Sequence, residues 1–120
     1  DTVWHLGDFS FYRKYDKMNY LFSRLNGNKC LIHGNHDSPV THEMFWVETS
    51  DLTSINIGKT KIILCHYAMR VWDKSHQGSL HLYGHSHGTL PGTSQSCDVG
   101  VDCPEWNYTP VNIDQIKEKL

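Results

Sequence analysis

One recurring feature constrains this chain more than any other: a short apolar run that stops at glycine and at side chains able to hold a metal. "TVWHLGDF" closes on Gly7 and Asp8, and "KCLIHGNHD" closes on Gly34, Asn35, His36 and Asp37. "LTSINIGKTKIILCH" stops at His66, and "GSLHLYGHSHG" stops at His85 and His87. Runs this short, rich in Ile, Leu and aromatic residues and bounded by glycine, predict strands rather than helices. In α/β sheets ligands collect beyond the carboxyl ends of the strands, where the loops converge on one crevice. The pattern therefore delivers a carboxylate, an amide and several imidazoles to strand ends from distant parts of the chain.

Between these runs the elements are ordinary. "RKYDKMNYLFSRLNG" spaces Tyr15, Met18, Leu21, Phe22 and Leu25 helically before Gly27, predicting an amphipathic packing helix over 13–25. The span 38–50 reads as a loop or short helix around Phe45 and Trp46, and Gly58-Lys59 as the turn of a hairpin. "CDVGVDC" predicts one more strand, and "VNIDQIKEKL" a terminal helix capped by Asn112 with Gln115 three residues on. Strand–helix–strand followed by hairpins points to α/β or α+β layers, and 120 residues to a single domain over 1–120 with one core.

Composition narrows the function. Eleven basic against 13 acidic side chains give a net charge of −2, so no basic excess points to nucleic acid. The four cysteines, Cys30, Cys65, Cys97 and Cys103, form no C-x-x-C pair, which argues against a four-cysteine metal site. Cys30 and Cys65 sit in apolar runs and are expected to be buried thiols of a reduced protein; a Cys97–Cys103 disulfide stays open. No signal peptide and no bilayer-length apolar run is evident, so the expected location is the cytoplasm, away from membranes. Nine histidines are the unusual figure. With Asp8 and Asn35 they make a nitrogen and oxygen donor set suited to Mn, Fe, Zn, Co or Ni. Two such cations about 3.5–4 Å apart form the clamp used for in-line attack on phosphorus.

"GDF" at 7–9, "GNHD" at 34–37, His66 at a strand end and "GHSH" at 84–87 resemble, in order, the motifs of calcineurin-like metallophosphoesterases. The flanks "VWHLGDF", "HYAMRVW", "HLYGHSHG" and "DVGVDC" are similar to a small, phage-type bacterial branch, so the resemblance covers nearly the whole chain. It implies an α/β sandwich of two sheets flanked by helices and a metal-dependent hydrolase of phosphate esters, phosphodiesters foremost, acting through a metal-bound hydroxide. Asp8 would bridge two metals, Asn35, His66 and His85 would complete the second metal's ligands, and His87 would serve the first. His36 would protonate the leaving oxygen or stabilise the transition-state charge. Asp37 would be a turn or orienting residue, and Arg70 would reach a phosphate oxygen. His33, His42, His76 and His81 match no motif and are expected to be surface or packing residues.

One family motif has no counterpart here. The family opens with Asp-x-His on an earlier strand, and nothing before Asp8 can replace it. At roughly 3.3 Å per residue, His5 lies about 10 Å and Asp1 about 23 Å back along the Asp8 strand. The expectation is a chain lacking the family's first strand and helix, holding one ion well and turning over slowly. The alternative is a degenerate, non-catalytic domain that binds one metal or serves in interaction. A missing strand would also expose a sheet edge, through which copies of the chain could pair.

Overall fold

The computed structural model describes residues 1–120, which divide into two compact units, Asp1–Asp51 and Leu52–Leu120. Strands and helices occur in both, making the chain α/β with two sheets and few helices.

In the first unit, β1 (Thr2–His5), β2 (Asn28–Ile32) and β3 (Glu48–Ser50) form a parallel sheet in that order, with α1 (Tyr15–Arg24) crossing from β1 to β2. Parallel pairing needs such a crossover, and the helical spacing of Met18 and Phe22 supplies it. Those two side chains are buried with Met44, and Phe9, Val40 and Trp46 pack against them. The buried stripe is narrower than the sequence suggests, because Tyr15 and Leu25 stay exposed. The span 38–50 holds a single helical turn, α2 (Pro39–His42), and then β3, a strand not expected from "ETS". Nothing apolar marks β3; it forms because its backbone completes the ladder of β2, pairing Ile32 with Ser50. The Trp46 indole donates to the Thr41 carbonyl at 2.8 Å and ties the turn after α2 to that core.

The second unit begins with the hairpin of β4 (Leu52–Ile57) and β5 (Thr60–Cys65), whose turn lies at Gly58-Lys59 as read from the sequence. Gly58 has φ +61°, the conformation a two-residue hairpin loop asks of glycine. β6 (Leu80–Tyr83) and β7 (Ser96–Asp98) extend β5 in parallel, and all four residues of β6 are buried. The strand expected over 97–103 is confined to Ser96–Asp98. Past it the chain turns, because the Asp98 carboxylate accepts from the Gly100 amide at 2.8 Å and Cys103 N–H donates to the Gly100 carbonyl. The terminal helix α3 (Ile113–Lys119) carries the capping box read from sequence, with the Asn112 and Gln115 side chains each bonding the other's backbone amide at 2.9 Å. All four cysteines are free, and Cys65 is only half-buried where full burial was expected. Burial pushes the Cys97 and Cys103 thiols up to about 11 and about 12, so both remain protonated at neutral pH. No helix is long and apolar enough to cross a membrane.

Candidate metal centre

In the first unit the turns after β1 and β2 are locked together by one carboxylate. Asp37 accepts from the amides of Asp8 and Gly34 through Oδ2, each at 2.9 Å, and from Phe9 through Oδ1 at 2.8 Å. Asp8 in turn accepts from the His36 amide through Oδ1 at 2.8 Å. Gly34 is where the two turns touch: a Cβ there would stand 2.4 Å from the Asp8 nitrogen and 2.6 Å from its Oδ1. Only glycine permits that approach. Asn35 and His36 are exposed beside Asp8, and the His36 ring lies edge-on to Phe11 at 5.5 Å. The role of Asp37, open in the sequence, is thus structural: it holds the backbone that presents Asp8.

In the second unit His66 follows β5 directly and is buried, and its Nε2 lies 3.2 Å from Nδ1 of the exposed His85. The Tyr67 ring packs on both imidazoles, with centroids at 4.9 and 4.8 Å. The glycine-rich turn after β6 is fixed by acidic residues that sequence reasoning missed. Buried Asp98 accepts from the Gly88 amide at 3.0 Å, and Asp102 Oδ2 meets His87 Nδ1 at 2.5 Å. A carboxylate at Nδ1 selects the tautomer whose Nε2 is free of hydrogen, the form that ligates metal or takes a proton. The signal was the pair of aspartates in "CDVGVDC", which strand-like spacing obscured. Arg70 is exposed in the turn after β5.

His81 also exceeds its sequence reading. It is fully buried, sits over Ile63 O through Nδ1 at 3.1 Å, and accepts from the Met69 amide through Nε2 at 3.0 Å. Desolvation lowers its pKa, so it stays neutral and fastens the turn that begins at His66.

Each unit thus presents metal-ligating side chains of its own: Asp8 in the first, and the His66 and His85 nitrogens, 3.2 Å apart, in the second. Six non-glycine residues have positive φ, and three of them are sequence-predicted ligands: Asp8 at 54°, His85 at 63° and His87 at 51°. Asp and His tolerate this region better than most residues, yet it still costs on the order of 1–3 kcal/mol each. Such strain persists where the surroundings over-determine it, as the carboxylates of Asp37 and Asp98 do for these turns.

No family model and no curated protein matches the chain. A crystal structure of a protein of unknown function from Aquifex aeolicus is similar over all of this chain and 76% of that one, at 25% identity and a TM-score of 0.73.

Proposed function

We propose that this chain hydrolyses phosphate esters, phosphodiesters foremost, at a divalent transition-metal centre, on the two-sheet sandwich of the calcineurin-like metallophosphoesterases. The observation that supports the reading is the pairing of His66 and His85, drawn from two of the four motifs, through ring nitrogens of the second unit. The donor set suits such an ion. Two nitrogens bound at about 2.0–2.1 Å to one cation stand about 3.0–3.4 Å apart, and the His66 and His85 nitrogens are 3.2 Å apart. Asp8, Asn35, His66 and His85 would hold the better-bound ion, and His87 would face the second position. A bound cation supplies Lewis acidity toward phosphoryl oxygen and lowers the pKa of water.

The chain's own residues do the rest. His36, exposed beside Asp8, gives a proton to the leaving oxygen or offsets negative charge there. Asp37 keeps Asp8 in place through the backbone, Asp102 orients His87, and Arg70 pairs with a phosphate oxygen. The test is hydrolysis of a chromogenic phosphodiester with added Mn²⁺, with metal content measured in parallel. His36→Ala should lower the rate about 10²–10⁴-fold and leave the bound metal unchanged. His85→Ala should lose both. A wild-type chain that retains an ion yet shows no turnover would replace hydrolysis with the non-catalytic reading.

A further inference from the structure

A second pair of histidines lies wholly within the first unit and belongs to none of the four motifs. His33 is the residue after β2 and His42 the last of α2; both are exposed, and His33 Nδ1 stands 2.9 Å from His42 Nε2. The ring centroids are 4.9 Å apart. Folding gains little from this pairing, since imidazoles at the surface hydrogen-bond equally well to water. The separation is, however, close to what two nitrogens on a single cation require, about 3 Å for bonds of about 2.1 Å at a right angle.

The sheet register brings a carboxylate-bearing residue to the same strand ends. β2 and β3 run parallel with Ile32 opposite Ser50, and His33 N–H continues the ladder by donating to the Ser50 carbonyl at 2.9 Å. The next residues, His33 and Asp51, are therefore neighbours just past the carboxyl ends of adjacent parallel strands. His33, His42 and Asp51 line one open cavity of about 350 Å³, together with Thr49 and Ser50. Two imidazoles and a carboxylate are the donors that select a borderline divalent ion over magnesium or calcium.

We propose that His33 and His42, at the cavity that Asp51 also lines, form a separate binding site for a borderline divalent cation, Zn²⁺ being the type ion. The site is independent of the proposed hydrolysis and stands or falls without it. Titration of the full chain with Zn²⁺ alone, read by calorimetry and elemental analysis, tests it. His42→Ala should bind one ion fewer than the wild type, and His85→Ala should keep that ion. Asp51→Asn should weaken it about tenfold or more, as loss of even an outer partner of a metal site does. Equal stoichiometry in wild type and His42→Ala would overturn the site. Should His42→Ala fold poorly, the unaltered chain still decides: the imidazole ¹⁵N resonances of His33 and His42 should shift together and saturate as Zn²⁺ is added. Resonances that stay still under Zn²⁺ would overturn it equally.

Discussion

The turn after β2 and the turn after β6 solve the same problem with different means. Each presents polar side chains on a backbone that a carboxylate pins by accepting amide hydrogens. In the first unit the pin is Asp37, which closes the very motif it organises and takes three amides, from Asp8, Phe9 and Gly34. In the second the pin is Asp98, from β7, which takes two, from Gly88 and Gly100. The first reaches 28 and 29 residues back along the chain and also depends on a backbone approach no side chain can share. The second reaches no further than 10 residues and leaves more room. Comparable turns can thus differ sharply in tolerance to substitution.

The glycines give the largest contrast. Gly34→Ala drives a methyl into backbone at 2.4 Å and should abolish the cooperative thermal transition of the first unit. Gly88→Ala meets nothing nearer than Cys103 Sγ and Pro104 Cδ at 3.4 Å, so its cost is mainly the +77° φ, about 1–2 kcal/mol in urea unfolding. Similar losses for both would break the comparison. Next come the carboxylates. Asp37→Ala strands three amides and should cost about 3–5 kcal/mol, whereas Asp98→Ala, with two, should cost about 2–4 kcal/mol. An Asp98 effect larger than the Asp37 effect would reverse the order argued from bond number.

A pH titration sharpens the same contrast. Burial, with Lys29 nearby, lowers His5 to about 4 from an ordinary 6.5, while Asp37 pulls the other way. The unfolded chain therefore binds the extra proton first. Stability falls as pH drops from 6.5 toward 4, by at most about 3 kcal/mol, and is fully recovered above 6.5. His5→Phe should flatten that slope, leaving what remains to groups such as His81, whose pKa desolvation also lowers. A slope unchanged in His5→Phe would deny the burial argument. The smallest effect concerns Thr41, whose buried Oγ1 has no hydrogen-bond partner. Thr41→Val should raise stability by up to about 1 kcal/mol, and a loss would mean the hydroxyl is satisfied in solution.

Local signals survived folding where one neighbouring stretch decides the outcome. The hairpin at Gly58-Lys59 and the capping box at Asn112 lie where the sequence puts them, because turn and cap chemistry act within four residues. The α1 helix runs over Tyr15–Arg24 inside the expected 13–25, with its buried stripe reduced to Met18 and Phe22. β3 escaped notice because "ETS" has no apolar pattern and owes its form to β2. In the candidate centre the residue types at strand ends were readable, and their partners were not. Asp98 and Asp102 act on residues 10 and 15 positions away, and His81 on a backbone amide 12 away.

By itself, then, the sequence determined which side chains follow each strand, since apolar runs and glycines act locally and in order. Only the tertiary structure decided which of them meet. The His66 and His85 nitrogens stand 3.2 Å apart, and His33 stands beside His42 with no motif to announce it. Proximity between residues far apart in the chain is set by strand register and turn geometry, and no single stretch encodes those.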